Sequence, residues 1–212
     1  MGMGIYMQKT NTIKIAVAIV TNRLIKPKTL LSIMMMLAHT KYEVVPIVAT
    51  EGYTTAEGRT YCVIQAKKND CTHILFIDDD MIFPEDTIEQ LLSANVEIVG
   101  VPSNSRTLPL STTVALLDEN GGYKNPDKYP DFEMQIPYEV FKCYSIGMGV
   151  ALIDMEVFNK IDRPWFKFVV NEELGKIMIG EDAWLCKQAR EKGIDIWCDG
   201  TFEVGHIGDY IY

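Results

Sequence analysis

The feature that most constrains the fold is an alternation of short apolar runs with longer amphipathic segments over the first hundred residues. Lys14–Val20 (KIAVAIV) is a β-branched run without helical period, which predicts a buried strand. Similar runs predict strands at residues 42–48, 72–77 and 97–101, with helices beginning at Pro27, Thr54 and Pro84 between them. Alternation of this kind predicts an α/β fold with a largely parallel sheet and helices on both faces.

The spacing of apolar residues also predicts which side of each helix is buried. In the first helix the expected inner face comprises Leu30, Leu31, Met34, Leu37 and Ala38, and the methionines at 34–36 are expected to fill the core. In the second helix, at 54–67, the expected inner face comprises Ala56, Cys62, Val63 and Ala66. In the third it comprises Ile88, Leu91 and Leu92.

The middle of the chain is less regular. Residues 104–138 contain four prolines and the pair Gly121-Gly122, with a weak strand signal at 112–117. We expect irregular hairpins and a long loop there, placed beside a ligand site rather than in the core. Regular structure is predicted to return as a strand at 144–153, helices at 155–161 and 181–192, a helix stop at Gly193 and a strand at 195–198.

Composition excludes several classes of protein. A formal net charge of −9 argues against a nucleic-acid binder. The sequence contains no run of about 18 apolar residues, so it predicts no membrane span. The opening MGMGIYMQKTNT does not have the pattern of a secretory signal, although whether its Met-Gly repeat is native stays open. Five cysteines without a C-x-x-C pair argue against a disulfide framework and favour a reducing cytoplasm.

Three consecutive carboxylates, Asp78-Asp79-Asp80, follow the apolar run at 72–77. A solvated turn is one explanation, because aspartate is common where strands end. A ligand site is the other, because the carboxyl ends of strands line the ligand crevice of open α/β sheets. Alternate residues, Asp78 and Asp80, are placed to converge on a hard cation such as Mg²⁺ or Mn²⁺.

Polar residues near glycine mark three further positions. His206 stands in VGHIG beyond the last predicted strand, and it is either structural or a metal ligand. Glu181 and Asp182 precede a helix, where they either stabilise its N-terminus or supply a general base. Gly147, in SIGMG, suggests backbone close to a ligand or another strand, although the motif falls short of a dinucleotide fingerprint.

Taken in chain order, four segments resemble glycosyltransferases of the GT-A fold, in particular those of family 2. The segments are FIDDDM, SIGMGVALIDMEVF, GEDAWLCKQARE and VGHIG, and the resemblance covers roughly residues 13–208. It implies one Rossmann-like domain, with a nucleotide-binding half at 13–103 and an acceptor and catalytic half, partly of mixed sheet, at 104–212. The compact size also resembles, more loosely, the enzymes with which large algal viruses glycosylate their capsid protein, which would place the chain in a host cytoplasm.

The resemblance implies a role for each marked residue. The donor would be bound by Thr21, Asn22, Arg23, Arg59, Asp78, Asp79 and Gly147. Asp78, Asp80 and His206 would hold Mn²⁺ or Mg²⁺, which neutralises the leaving diphosphate. Asp182, with Glu181 next in line, would be the base of an inverting hexosyltransferase. The donor would be a nucleotide-sugar, with UDP the most frequent nucleotide in such enzymes, and the acceptor a glycan or glycoprotein.

Three alternatives remain open from the sequence. A sugar-nucleotide nucleotidyltransferase would be expected to carry a glycine-rich basic loop after the first strand, and TNRLIKPK has no glycine. A phosphatase with an Asp-x-Asp nucleophile usually has Thr or Val two residues later, where this chain has Ile82. A non-catalytic module would bind a nucleotide-sugar without turning it over.

Overall fold

The computed structural model describes residues 12–21, 24–50, 52–104, 111–124, 136–202 and 204–208. The elements of the first hundred residues are β1 (Lys14–Val20), α1 (Pro27–His39), β2 (Glu43–Ala49), α2 (Thr55–Lys68), β3 (His73–Asp78), β4 (Met81–Ile82), α3 (Thr87–Ser93) and β5 (Ile98–Gly100). Those that follow are β6 (Leu116–Leu117), β7 (Tyr123–Lys124), β8 (Val140–Cys143), β9 (Val150–Asp154), α4 (Val157–Lys160), β10 (Val169–Asn171), β11 (Lys176–Ile179), α5 (Glu181–Glu191), β12 (Ile196–Asp199) and β13 (Gly205–His206).

Seven of the described strands form the central sheet, in the order β2-β1-β3-β9-β5-β12-β8. Strands β2, β1, β3, β5 and β12 run in one direction, and β9 and β8 run in the other. The mostly parallel α/β sheet predicted from the sequence is therefore confirmed. The register of β1 on β3 pairs Val20 with Asp78, so both strands end at the same edge. We call this the carboxyl edge of the sheet.

The buried face of α1 differs from the prediction. The helix buries Thr29, Ser32, Ile33 and Met36, whereas Leu30, Leu31, Met34, Met35 and Leu37 are 38–60% exposed and Ala38 is also exposed. The prediction was wrong because it followed hydrophobicity, and the inner face includes two hydroxyl side chains. The Ser32 hydroxyl accepts a hydrogen bond from the Phe83 backbone N–H at 3.2 Å, which lets this polar side chain be buried.

The second helix follows its predicted pattern. Ala56, Cys62, Val63 and Ala66 are all buried, and in α3 so are Ile88 and Leu91, whereas Leu92 is half-buried. The helix α2 begins with a capping box, in which the Thr54 and Glu57 side chains each bond the other residue's backbone N–H. None of the described helices combines the length and the hydrophobicity that crossing a bilayer demands.

The core lies on both faces of the sheet. One layer packs under α2 and α5, and the other under α1 and α3. All five cysteines are free and buried, and burial raises the pKa of the Cys62 and Cys186 thiols to about 12. These thiols therefore act as small apolar side chains rather than as nucleophiles.

The second half contains strands that the sequence did not predict. Strand β8 forms one end of the sheet, and β10 and β11 form a separate hairpin directly before α5. The strand predicted at 144–153 begins only at Val150. The residues ahead of it, from Ile146 to Gly149, form no strand and approach the carboxyl edge.

Candidate functional site

A cavity of about 790 Å³ opens at the carboxyl edge of the sheet. The described residues that line it include most of those predicted for the site: Arg59, Asp78, Asp79, Asp80, Gly147, Glu181, Asp182 and His206. Among all the described residues that line the cavity, five are acidic and two, Lys26 and Arg59, are basic. The wall is therefore negative, and an anion would enter this cavity only together with a cation.

The triple aspartate forms the turn between β3 and β4. Asp78 ends β3, and its backbone N–H donates to the Gly149 carbonyl at 2.9 Å. Asp79 accepts a hydrogen bond on its carbonyl from the Lys26 backbone N–H at 2.8 Å. These bonds fix the turn between the segment before α1 and the segment before β9, so the carboxylates project from a rigid backbone.

His206 reaches this turn through a short antiparallel pair. Strand β13 pairs with β4, with His206 opposite Met81. The Ile207 backbone N–H donates to the Asp80 carbonyl at 2.8 Å. A residue far along the chain is thereby placed beside the aspartates, as the sequence predicted.

The side chains of Asp80 and His206 meet in the cavity. Asp80 Oδ1 lies 3.1 Å from His206 Nε2, and the two side chains are 6% and 14% exposed. On the other side of the ring, Nδ1 lies 2.8 Å from the Asn104 carbonyl oxygen, which can only accept a hydrogen bond. Nδ1 therefore carries the proton. In a neutral ring, Nε2 then directs a lone pair at a carboxylate, and this contact is favourable only when a proton or a cation lies between them.

The donor atoms fit a divalent cation held jointly with a ligand. Among the described residues, no three His, Cys, Asp or Glu side chains are grouped closely enough to hold a metal ion by themselves. The structure joins two of the three predicted ligands, Asp80 and His206, whereas one oxygen of Asp78 is directed to Arg59. Divalent ions at such sites are commonly held by one or two protein carboxylates together with substrate phosphates, and the imidazole in this pair favours a transition-metal ion such as Mn²⁺ over Mg²⁺.

A buried ion network lies beside the aspartates. The Arg59 guanidinium, whose side chain is 4% exposed, donates to Glu181 Oε1 at 2.5 Å and to Asp78 Oδ1 at 3.0 Å. Burial alone would lower the pKa of Arg59, but the carboxylates around it, chiefly Asp78 and then Glu181 and Asp182, raise it. Arg59 was predicted to reach a nucleotide, and its two ion pairs join α2 to β3 and α5.

The two acidic residues at the start of α5 have different surroundings. Glu181 is buried, and burial raises the pKa of its carboxyl even though Arg59 opposes the shift. Asp182 is half-buried and lines the cavity, and its Oδ1 accepts a hydrogen bond from the Ala183 backbone N–H at 2.7 Å. Of the two residues, Glu181 forms a direct ion pair with Arg59, and the Asp182 carboxylate does not.

Gly147 permits a close approach at the cavity wall. A Cβ at this position would lie 2.9 Å from Thr113 Cβ, so any side chain would displace Thr113. Thr113 and Ser103 line the same cavity, and their hydroxyls lie 2.9 Å apart. Sequence reasoning missed these two residues. The only signal in the sequence was that Ser103 follows the apolar run that ends at Val101.

The residues predicted to bind the nucleoside are only partly described. Asn22 and Arg23 lie outside the described residues. Thr21 is buried, its backbone N–H donates to the Ala49 carbonyl at 2.9 Å, and it is not among the described residues that line the cavity. Its neighbour Val20 does line the cavity. A role for residues 21–23 in binding a nucleoside stays a prediction.

Comparison with known proteins identifies the fold. No family model matches the chain, and no curated protein matches it. Among solved structures, GalNAc-T7 with UDP, GalNAc and Mn²⁺ superposes with a TM-score of 0.61 at 14% identity, covering 94% of this chain and 44% of that one. A197 from STIV superposes with a TM-score of 0.57 at 15% identity, covering 93% of this chain and 86% of that one. The chain thus spans less than half of GalNAc-T7, and at such low identity the likeness concerns the fold. The chain has the GT-A fold that its sequence predicts.

Proposed function

We propose that this chain is a glycosyltransferase that moves a hexose from a nucleotide-sugar to an acceptor hydroxyl with the help of Mn²⁺ or Mg²⁺. The observation that carries the proposal is the contact of Asp80 with His206 inside the acidic cavity at the carboxyl edge. The GalNAc-T7 structure, which has the same fold, contains UDP and Mn²⁺ and supports a nucleotide-sugar ligand and a divalent ion. UDP is the nucleotide we favour.

The donor's diphosphate would be held at the Asp80–His206 pair. Asp80 and His206 would hold the ion, and the Asn104 carbonyl keeps the His206 ring in the tautomer whose Nε2 can ligate. When bound, the ion acts as a Lewis acid that neutralises charge on the departing diphosphate. Asp78, whose Oδ1 accepts a hydrogen bond from Arg59, would accept a hydrogen bond from the ribose with its other oxygen.

Asp182 would be the general base. Its carboxylate is oriented by the Ala183 N–H, which leaves Oδ2 to take the proton of an acceptor hydroxyl. Glu181 is less suited to this task because it is buried in an ion pair with Arg59. Attack on the side opposite the leaving diphosphate would invert the anomeric carbon. The acceptor in this proposal is a glycan or glycoprotein, and the five free cysteines fit a reducing compartment such as the cytoplasm.

A thermal-shift screen of nucleotide-sugars, with Mn²⁺ and with EDTA, tests the proposal on the whole chain. We expect one donor to raise Tm in Mn²⁺ only, and Asp80→Ala to remove that rise. Asp195→Asn is the matched control, because Asp195 is an exposed carboxylate paired with Lys142 far from this cavity. An equal rise in EDTA, or an unchanged rise in Asp80→Ala, would contradict the metal site.

Turnover separates an enzyme from a non-catalytic module. With the donor identified by the screen, the enzyme should release free nucleotide and transfer the sugar to an acceptor. A module would bind the same donor with Mn²⁺ and leave it intact over hours, and that result would overturn the proposed activity while keeping the binding site.

A further inference from the structure

A second pocket, of about 370 Å³, adjoins the cavity at the carboxyl edge. Its walls include Tyr123 from β7, Tyr144 from the segment after β8, and Met178 from the β10–β11 hairpin. Thr113 and Gly180 line the side that faces the cavity. We call this space the tyrosine pocket. Its volume lies at the low end for ligand sites, which suits one small unit rather than a long chain.

The tyrosine pocket and the cavity meet at Asp182. Thr113 lines both spaces. Gly180 lines the tyrosine pocket, and a Cβ on it would lie 2.8 Å from Asp182 Oδ1, so this carboxylate lies directly over the glycine. Asp182 itself lines the cavity. The carboxylate proposed as the base therefore stands at the boundary between the two spaces.

The cationic groups around the tyrosine pocket are already paired. The Arg190 guanidinium lies 3.6 Å from the centre of the Tyr144 ring and donates to the Tyr144 carbonyl. Lys187 Nζ lies 2.5 Å from Glu191 Oε1. Because both cations already have partners, they offer less attraction to an anionic ligand, and a neutral ligand would leave these contacts in place.

The remaining surface suits a ring with apolar faces and polar edges. The residue Tyr123 is 54% exposed, and its ring lies 5.4 Å from the Tyr144 ring, with 70° between the ring planes. Aromatic faces carry partial negative charge and attract C–H groups, and a sugar ring presents such groups on its faces and hydroxyls around its edge. Thr113 and Ser145 contribute hydroxyl groups nearby.

We propose that the tyrosine pocket is the acceptor subsite and that it takes a neutral sugar ring, stacked against Tyr123, with one hydroxyl directed at Asp182. This inference rests on the proposed function. The acceptor oxygen would form a bond to the anomeric carbon as the bond from that carbon to the diphosphate breaks. The hydroxyl proton would pass to Asp182, and the nucleoside diphosphate would leave from the cavity.

Saturation-transfer NMR on the whole chain tests the subsite without requiring turnover. The probes are methyl α- and β-glycosides of glucose, galactose, mannose and N-acetylglucosamine, each with UDP and Mg²⁺ present. The variants are Tyr123→Ala, Tyr123→Phe, which keeps the ring, and Tyr138→Ala as a control. Tyr138 is 82% exposed and does not line the pocket, and Tyr123 is exposed enough that its replacement should not unfold the chain.

We expect at least one glycoside to receive saturation and Tyr123→Ala to weaken its binding about three- to tenfold. Tyr123→Phe and Tyr138→Ala should bind it as the unmodified chain does. Equal binding in Tyr123→Ala, or no binding by any glycoside, would overturn the subsite. The UDP signal is recorded in the same spectra, so its loss would count against the proposed function separately from the subsite.

Discussion

A cavity lies at the carboxyl edge of the central sheet and another at the opposite edge, and the two cavities differ in chemistry rather than in size. The cavity at the carboxyl edge has a volume of about 790 Å³, and the one at the opposite, amino edge about 710 Å³. At the carboxyl edge Arg59, Asp80 and Glu181 are all buried. At the amino edge, Glu97 and Asp195 form ion pairs at the surface, and in the pair of Glu97 with Lys160 the side chains are 39% and 52% exposed.

The two cavities differ because charged groups are buried at the carboxyl edge and exposed at the amino edge. Burying a charged group is costly unless partners are held in place around it, so a cluster of buried charges requires many groups to be fixed at once. Perturbed, partnered carboxylates in a cleft are typical of functional sites, whereas exposed pairs are typical of solvated surface. The chemistry of its walls, and not its volume, distinguishes the carboxyl-edge cavity as the candidate site.

Asp182→Asn should have the largest effect. Loss of the base should lower transfer about 10²- to 10⁴-fold, while donor binding stays unchanged because the amide oxygen can still accept the Ala183 N–H bond. Initial transfer rates and calorimetric donor affinity measure the two quantities. The amino-edge substitution Asp195→Asn should change neither. Undiminished transfer in Asp182→Asn would remove this residue as the base.

Arg59→Met should cost stability because it leaves Asp78 and Glu181 without their shared cation. Breaking a buried pair by removing one partner costs about 3–5 kcal/mol. Lys160→Met at the amino edge is the matched control, and an exposed pair of this kind is worth only about 0–1 kcal/mol. Urea unfolding gives both values. Equal losses from the two substitutions would break the contrast between the two edges.

The smallest expected effect is on the pH dependence of stability, and its sign differs between the edges. Burial lowers the pKa of His73 at the amino edge below its ordinary 6.5, so its contribution to stability is lost as pH falls below that value. Burial raises the pKa of Glu181 above its ordinary 4.5, so its contribution is lost as pH rises above that value. Urea midpoints across pH 4–8 should therefore change less steeply below pH 6.5 in His73→Gln than in the unmodified chain. An unchanged profile in that variant would remove His73 as the source.

The parts of the fold that were predictable depend on local pattern. The strand at Lys14–Val20 and the strand running into Asp78 follow from their continuous apolar runs, and the α2 face follows from helical periodicity. The buried face of α1 does not follow from its pattern. The Ser32 hydroxyl on that face is satisfied by Phe83, 51 residues away, and no local pattern reports such a contact. Strand β8 (VFKC) is only four residues long and lies at one end of the sheet, so it is too short to show a periodic pattern.

The sequence predicted which residues belong to the candidate site better than it predicted the contacts between them. Aspartates after a strand and a histidine between glycines were enough to point to Asp80 and His206. The sequence did not reveal that Arg59 joins Asp78 and Glu181, because the three belong to separate elements and meet only through packing. The tyrosine pocket was missed for the same reason, since Tyr123, Tyr144 and Met178 belong to separate segments that meet only in the folded chain.

The most direct test of the central claim uses the three histidines of the chain, His39, His73 and His206. Their imidazole NMR signals can be assigned with single His→Gln variants and followed while substoichiometric Mn²⁺ is added in the presence of UDP. We expect paramagnetic broadening to remove the His206 signals first and to leave the His73 and His39 signals visible. In Asp80→Asn, the His206 signals should no longer broaden. His206 signals that persist while Mn²⁺ and UDP bind, or that broaden equally in Asp80→Asn, would contradict a shared ion at Asp80 and His206.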